Sequence, residues 1–320
     1  MKRLMKSLAA IVSMTCACAA HAEWPEKPVK MVVPYAPGGA ADAVARVVAT
    51  ELGARLKQQV IVENKPGAGG TIGAQAVAQA PADGYTFLYD ATSFTVNPSL
   101  FPKLRFDYLK DFAAVGMVAR IPTLLVVPSN SPINSVADLV QRARATPDRI
   151  TYASAGNGSA AHLSAALFGQ GFNVGLVHVP YKGGAPALTD LAGGQVDLMF
   201  SAVTASGPLI KSGKLKAIAT AFDQRVDAFP QVPTVAESGL PGFRAYEWNA
   251  IWAPTGTPPA IRNRMEAELR SALSQPAMRQ RFAEMGALPA TGSAKDLTEF
   301  VKAETAKWAS VIKTADIKLD

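Results

Sequence analysis

Short apolar runs alternate with amphipathic stretches along most of the 320-residue chain, and this alternation restricts the fold more than any other feature. Each run is rich in Val, Ile, Leu and aromatic residues and is followed by Gly, Pro, Ser or Asn, which is typical of β-strands. Between two runs, Val44, Val48 and Leu52 fall on one face of a predicted helix over residues 43–57. Alternating strands and helices favour mostly parallel sheets covered by helices, so the predicted fold class is α/β. The predicted strands are residues 29–35, 59–63, 85–89, 123–128, 150–153, 174–179, 196–200 and 215–220.

The chain after Pro254 carries helical patterns alone. Met265, Leu269 and Leu273 recur every four positions, and Leu297 and Val301 begin a second stripe. Because no strand signal follows Pro254, we expect these helices to pack on the outside of a sheet built earlier in the chain.

The order of the elements predicts two lobes. Two similar sets of strands and helices are separated by the proline-containing stretch 120–122, and the run 246–254 can return the chain to the first set. A chain of this length accommodates two domains of ordinary size. We predict that lobe 1 contains residues 23–121 and 251–320, that lobe 2 contains residues 122–250, and that the hinges lie near 120–123 and 248–253.

The first 22 residues have the pattern of a secretory signal peptide. Lys2, Arg3 and Lys6 precede an uncharged apolar stretch over residues 7–20, and Ala occupies positions 20 and 22. A membrane anchor is the weaker alternative, because the apolar stretch is too short to span about 30 Å of hydrocarbon. We predict cleavage after Ala22 and export to the periplasm.

Removal of this segment limits the chemistry that remains. Both cysteines, Cys16 and Cys18, are lost with it, so no disulfide, thiolate nucleophile or cysteine-ligated metal is expected. His162 and His178 are sixteen positions apart and form no helical metal pair, so we predict no metal site. The net charge of +7 falls to about +4, with 29 Lys+Arg against 25 Asp+Glu, and no basic run interleaved with aromatic residues indicates nucleic-acid binding.

Three glycine-containing loops lead from a predicted strand into a predicted helix. They are VVPYAPGGAAD at residues 32–42, ENKPGAGGTIG at residues 63–73 and YASAGNGSAAH at residues 152–162, and YKGGAP at residues 181–186 is similar. Glycine lets the backbone approach a ligand closely, and the N–H groups and dipole of a helix start favour an anion. Ligands of open α/β sheets bind at the carboxyl ends of strands, where these loops lie. The loops together predict a site for a carboxylate or phosphate, although any single one fits a tight turn equally well.

Nucleotide and hydrolase sites fit the sequence less well. Ile72 stands where the last glycine of a dinucleotide loop should be, and no stretch matches the Gly-Lys-Ser/Thr ending of a phosphate loop. No serine has the flanking glycines of a nucleophile elbow, and Ser310 and Lys313 lack the partner motifs of a Ser-x-x-Lys enzyme. His162, one turn after Ser159, is the remaining candidate base, but a structural role at the helix start is favoured. We therefore predict that the protein is not an enzyme and uses no cofactor.

The loops taken together resemble those of the periplasmic receptors of tripartite tricarboxylate transporters, the Bug family. The resemblance implies a two-lobed, flytrap-like fold of the type II periplasmic-binding-protein kind, with a ligand cleft between the lobes. It also implies a small carboxylate ligand held largely by backbone N–H groups and ordered waters, and a membrane permease as partner; we expect a monomer. The matching blocks are VPYAPGG (33–39), VENKPGAGG (62–70), ADGYT (82–86), YASAGNGSAAH (152–162), HVPYKG (178–183), GGQVDLMF (193–200), VPTVAE (232–237) and APTGTP (253–258).

The resemblance places the ligand in a cradle contributed by both lobes, with Tyr35 against the ligand body. Lobe closure around the filled cradle is the implied mechanism of capture. The predicted ligand-binding residues are Tyr35, Pro37, Gly38, Gly39, Ala40, Ala41, Asp42, Gly67, Gly69, Gly70, Asp90, Thr92, Ser154, Ala155, Gly156, Asn157, Gly158, Ser159, His162, Tyr181, Lys182, Gly183, Gly184 and Asp197.

Two positions depart from the family pattern. Ala40 and Ala41 offer no hydroxyl before Asp42, and Asp90 stands where a small residue is usual. An acid beside the cleft would repel a second carboxylate and attract an amine, so we hypothesise that the ligand is a monocarboxylate, an amino acid or a similar cation-bearing acid. The alternative is that Asp90 points outward and caps a turn. A module that reports to a membrane sensor kinase needs the same closing cleft and is the alternative function; an exported hydrolase is a further one.

Overall fold

The computed structural model describes residues 24–319, apart from the side chain of Ala40, so the predicted signal peptide and its cleavage point lie outside the described residues. The strands are β1 (Val29–Val33), β2 (Val60–Asn64), β3 (Thr86–Asp90), β4 (Phe112–Ile121), β5 (Thr123–Pro128), β6 (Thr151–Ser154), β7 (Val177–Pro180), β8 (Leu198–Ala202), β9 (Leu215–Thr220), β10 (Glu247–Pro254) and β11 (Leu288–Pro289). The α-helices are α1 (Ala40–Leu56), α2 (Thr71–Ala78), α3 (Ser93–Leu100), α4 (Val136–Ala145), α5 (Ala160–Phe172), α6 (Gly184–Ala192), α7 (Val203–Lys211), α8 (Pro259–Ser274), α9 (Pro276–Glu284) and α10 (Ala294–Thr314). Within this range no helix has both the length and the apolar character needed to cross a membrane.

The first sheet has the strand order β11-β4-β10-β3-β1-β2. β1 is parallel to β2 and β3, whereas β10 is antiparallel to β3 and β4. Helices α1, α8 and α9 bury their apolar stripes on one face of this sheet, where Leu52 and Leu269 belong to the core. Helices α2, α3 and the beginning of α10 cover the opposite face through Val77, Phe94 and Leu297.

The second sheet has the strand order β7-β6-β8-β5-β9. β6 is parallel to β7 and β8, and β5 is antiparallel to β8 and β9. Helices α4 and α5 pack on one face through Leu139 and Phe168, and α6 and α7 pack on the other through Leu191 and Val203. The α/β fold class is thus confirmed, with the parallel strands at one edge of each sheet and antiparallel strands where the chain changes sheet.

The chain changes sheet twice. It passes from β4 to β5 at Pro122, and it returns through residues 221–246 into β10. The terminal helix α10 connects the two cores, because Leu297 and Val301 lie in the core of the first sheet whereas Trp308 and Ile312 lie in that of the second. We predicted that all of residues 251–320 belong to lobe 1. The structure corrects this for the end of α10, which packs against the second sheet.

Three strands of the structure were not predicted as strands. β4 was not expected, because its sequence FAAVGMVARI has no clear alternation of apolar and polar residues. Residues 246–254 were expected only to connect the two lobes, whereas Glu247–Pro254 form the strand β10. The prediction that no strand follows Pro254 is wrong, since the two residues of β11 pair with Ala119 and Arg120 of β4.

Candidate functional site

A cavity of about 140 Å³ lies at the carboxyl ends of β6 and β8 in the second sheet. Its position is the edge at which open α/β sheets hold their ligands. The lining is mostly small and apolar and comes from widely separated parts of the chain. The lining residues are Thr123, Ala155, Ser159, Ala160, Ala161, Gly184, Leu188, Met199, Phe200, Ser201, Ala202, Ala205 and Glu247.

Three helices begin at this cavity. They are α5, α6 and α7, whose first residues are Ala160, Gly184 and Val203. The first N–H groups of a helix have no partner within the helix, and the helix dipole adds partial positive charge at the same end. Three such ends at one cavity give it the electrostatic character that favours an anion.

Local sequence explains why two of these helices start where they do. Ser159 is the N-cap of α5, and its side chain accepts a hydrogen bond from the His162 N–H at 3.4 Å. Gly183 is the N-cap of α6 and has a φ of 113°, a conformation that residues with a Cβ rarely adopt. The glycine of the predicted loop 181–186 is thus required by the backbone.

The loop from Ser154 to Gly158 is held by its own side chains. Ser154 Oγ lies 2.6 Å from His178 Nε2 and accepts a hydrogen bond from the Gly156 N–H at 3.1 Å. The Gly158 N–H donates to His162 Nδ1 at 3.2 Å. The rings of His162 and His178 stack with centroids 3.8 Å apart. These contacts fix the loop in front of α5.

The same contacts argue against His162 or His178 as a catalytic base. Burial lowers the pKa of His162 to about 4, with a further contribution from His178, and burial also lowers the pKa of His178. A Ser–His contact is what a hydrolase nucleophile requires. Ser154, however, is 0% exposed, so its hydroxyl cannot meet a substrate in the cavity. We assign the pair to positioning the loop.

The loop at residues 35–42 of the first sheet is organised by Asp42. Its carboxylate accepts hydrogen bonds from the Gly38 N–H at 2.9 Å, from Arg46 Nε at 2.9 Å and from Asn64 Nδ2 at 2.8 Å. Burial acts to raise the pKa of Asp42, but the hydrogen bonds from Arg46, Gly38 and Asn64 outweigh it, and the pKa is lowered. Asp42 therefore positions the loop, and both the Asp42 carboxylate and the Gly38 N–H are already bonded.

Asp90 lies under the first-sheet loops at the end of β3. Its Oδ1 accepts from the Tyr35 hydroxyl at 2.6 Å, from Ser93 Oγ at 2.6 Å and from the Ala91 N–H at 2.7 Å. Asp90 is 0% exposed, and burial raises its pKa to about 6 against the effect of these three bonds. It does not point outward, and it does not line the cavity. The amine preference expected from an exposed Asp90 has no support in this geometry, and its contacts instead hold Tyr35 in place.

The loop at residues 67–70 approaches the second-sheet loop through α3. Asn97 of α3 donates from Nδ2 to the Gly69 carbonyl at 2.9 Å, and a Cβ at Gly69 would lie 3.1 Å from the Phe101 ring. At the same end of α3, Leu100 lies against Gly158, where an added Cβ would press on the end of the Leu100 side chain. The end of α3 thus lies between the predicted loop at residues 67–70 of the first sheet and the predicted loop that carries Gly158 in the second sheet.

The predicted site residues fall into three groups by location. Ala155, Ser159 and Gly184 line the cavity, and the loops that carry Ser154, Gly156, Asn157, Gly158, His162, Tyr181, Lys182 and Gly183 adjoin it. The first-sheet residues Tyr35, Pro37, Gly38, Gly39, Ala41, Asp42, Gly67, Gly69, Gly70, Asp90 and Thr92 lie at or near the ends of β1, β2 and β3 and are not among the described lining residues, and Ala40 begins α1 in the same loop region.

Asp197, which makes up the third group, is at the opposite end of the second sheet. It precedes β8, and its carboxylate accepts hydrogen bonds from the Thr151 N–H and from Thr151 Oγ1, both at 2.8 Å. Because Thr151 begins β6, whose other end faces the cavity, we leave Asp197 out of the proposed site.

The sequence predictions missed several cavity residues. Thr123, Ser201 and Glu247 belong to β5, β8 and β10, and Ala205 belongs to α7. For α7 a usable signal exists, since it follows β8 directly, although the Val203 N–H at its start donates to the Pro122 carbonyl at 2.9 Å. For Glu247 nothing local in the sequence marks the residue.

Two further observations concern other possible sites. Within residues 24–319, no three His, Cys, Asp or Glu side chains are grouped so as to hold a metal ion. A depression of about 490 Å³ lies where α1 ends and β2 begins, at the end of β1 and β2 opposite to the glycine loops. Its lining has the composition of an ordinary surface, with Lys57 as the charged residue, and we do not assign it a ligand.

Comparison with known proteins gives matches over almost the whole chain. The family described as "Tripartite tricarboxylate transporter family receptor" matches residues 44–317. Protein BugT of Bordetella pertussis (strain Tohama I) is 37% identical over 298 residues, which cover 92% of this chain and 91% of BugT.

Two solved structures are similar over their full length. One, described as "R. palustris Rpa4515 with adipate", has a TM-score of 0.82 and 37% sequence identity, and the match covers 93% of this chain and 100% of that one. The other is the periplasmic binding protein BugD, with a TM-score of 0.78, 38% identity and the same coverage of 93% and 100%.

Proposed function

Because the chain belongs to the family of tripartite tricarboxylate transporter receptors, we propose that it is a periplasmic solute-binding protein that captures a small carboxylate. The captured ligand is delivered to the membrane permease of a tripartite transporter. The observation that carries the proposal is the convergence of the first turns of α5, α6 and α7 on one cavity. Charge-assisted hydrogen bonds from N–H groups are strong enough to hold a carboxylate without a basic side chain.

A carboxylate is the anion that the comparisons favour. The solved structure with 37% identity and a TM-score of 0.82 to this chain holds adipate. The described lining of the cavity includes no lysine or arginine side chain, and such side chains commonly hold phosphate. The family is one of substrate-binding receptors, so we assign the cavity to binding rather than to turnover.

Capture requires the first-sheet loops to approach the cavity. We propose that the loops 35–42 and 67–70 close over the ligand, with the two crossings between sheets acting as hinges near 120–123 and 248–253. Closure is favoured only when the ligand bridges both sets of N–H groups. Export by a signal peptide cleaved after Ala22 accords with the periplasmic location of BugD.

Ser159→Asp tests the anion site directly. Aspartate is as good an N-cap as serine, so α5 should keep its start, but a negative charge would stand where the ligand carboxylate binds. Ser135 caps α4 in the same way, accepting from the Asp138 N–H at 3.0 Å, and does not line the cavity, so Ser135→Asp is the matched control.

The assay is calorimetry on residues 23–320 with a panel of mono- and dicarboxylates, hydroxy acids and amino acids. We expect at least one carboxylate to bind the wild-type protein and Ser135→Asp with equal affinity, and to bind Ser159→Asp more than tenfold more weakly. A ligand at 100 times its dissociation constant should also raise the free energy of unfolding by about 2.7 kcal/mol. Equal affinity of the two variants, or no carboxylate that binds, would contradict the proposal.

A further inference from the structure

Glu247 is the ionisable residue among those that line the cavity. It is the first residue of β10, pairs with Ile121 of β4, and so lies where the chain returns to the first sheet. The other lining residues are apolar or carry a hydroxyl or thioether at most. A carboxylate thus faces the same cavity as three helix N-termini.

The Glu247 carboxylate has no hydrogen-bond or ion-pair partner within residues 24–319. It is half-buried, and burial raises its pKa. A half-buried acid normally has a cation or a donor beside it, because desolvation without a partner is unfavourable. Glu247 does not act as an internal anion for α5, α6 or α7, since none of their described N–H groups bonds to it.

The nearby cation Arg120 is already engaged. Arg120, which precedes the paired Ile121, donates from Nη1 to Asp223 at 3.0 Å and lies over the ring of Phe222. Asp90, the other acid considered, is fully buried and accepts three hydrogen bonds from the first-sheet loops. A ligand in the cavity can therefore supply the polar partner that Glu247 lacks among the described residues.

We infer that Glu247 selects carboxylates that also carry a protonated amine, with the amine placed at Glu247 and the carboxylate at the starts of α5, α6 and α7. The inference rests on the proposed function and specifies its ligand class. A second carboxylate in the same place would face a like charge in a partly desolvated site, which disfavours dicarboxylates. An ammonium group instead satisfies Glu247 with a charge-assisted hydrogen bond.

The test compares matched pairs of ligands that differ only by an amine. Adipate with 2-aminoadipate and butyrate with 4-aminobutyrate are suitable, measured by calorimetry at pH 7.5 on residues 23–320. Glu247→Gln keeps the shape of the side chain and removes its charge. Glu299→Gln makes the same change of net charge in an exposed side chain that pairs with Lys302, and it serves as the control.

We expect the wild-type protein and Glu299→Gln to bind the amine-bearing member of a pair at least tenfold more tightly. In Glu247→Gln the ratio should fall to within about threefold, with the amine-free member bound as well as or better than by wild type. An unchanged ratio in Glu247→Gln, or tighter binding of adipate than of every amine-bearing ligand by the wild type, would overturn the role of Glu247 and leave the proposed function standing. If no carboxylate of either kind binds any variant, the proposed function fails as well.

Discussion

Replacing Asp90 by asparagine should change the way in which the stability of the protein depends on pH. The pKa of this fully buried carboxyl is raised from 3.8 to about 6, mainly by burial. A difference of one pKa unit corresponds to about 1.4 kcal/mol, so ionised Asp90 costs the folded state about 3 kcal/mol. Because the folded pKa lies above the unfolded one, the folded state binds the proton more tightly. The stability contributed by the bound proton is therefore full below pH 3.8 and is lost as pH rises through about 6.

Urea denaturation at pH 4 and pH 8, followed by tryptophan fluorescence, measures the effect. The amide introduced by Asp90→Asn cannot ionise, so the stability of wild type relative to this variant should fall by about 2.4 kcal/mol between the two pH values, because the unfolded carboxyl is already partly ionised at pH 4. The comparison between the proteins cancels the titration of every other group. Tyr35→Phe removes one of the three hydrogen bonds to Asp90 Oδ1 and should shift the transition to still higher pH. A wild-type-minus-variant difference that is the same at pH 4 and pH 8 would refute the assignment of Asp90 as a carboxyl destabilised by burial.

Three further outcomes follow from other parts of the structure. Ser293→Ala removes the capping box that Ser293 forms with Asp296 at the start of α10, and it should lower the free energy of unfolding by about 1 kcal/mol in urea. Trp308→Ala opens a cavity in the core of the second sheet and should cost about 3–5 kcal/mol, with a visibly lower melting temperature than the exposed-site control Lys302→Ala. The NMR resonance of the His162 ring should stay constant from pH 8 to pH 5 and titrate near pH 4; a midpoint near 6.5 would contradict the buried stacking with His178.

Much of the fold could be predicted because it is encoded by local patterns. Strands β1, β3, β5 and β9 are apolar and are followed by turn residues, so they were predicted to within two residues. β4 was not predicted, because small residues such as Ala113, Ala114 and Gly116 give little alternation of apolar and polar side chains. The path of α10 could not be predicted either, since its apolar stripe is continuous and does not reveal that Leu297 and Trp308 enter different cores.

The candidate site likewise contains residues that a local sequence pattern reveals and residues that only the tertiary fold brings together. Glycines such as Gly156 and Gly183 could be identified because their positive φ values require glycine at those positions. Thr123, Ser201 and Glu247 meet at one cavity only through the pairing of β5 with β8 and the return of β10, and no local pattern encodes those contacts. Sequence therefore indicated the glycine loops that adjoin the cavity and missed Glu247, the acid that lines it.

Asp90 and Glu247 differ in the number of donors bonded to the carboxylate, and we propose that this difference gives them different roles. Asp90 Oδ1 accepts three hydrogen bonds, and these bonds hold Tyr35 and the loops of the first sheet in position. Glu247 has none within the described part of the chain, so it remains available to a ligand. The two roles can be separated by experiment: Asp90→Asn should alter the pH dependence of unfolding and leave the preference for amine-bearing ligands unchanged, whereas Glu247→Gln should abolish that preference. If Asp90→Asn abolished it instead, Asp90 would have to reach the ligand, and the closed state would have to break its bond to Tyr35.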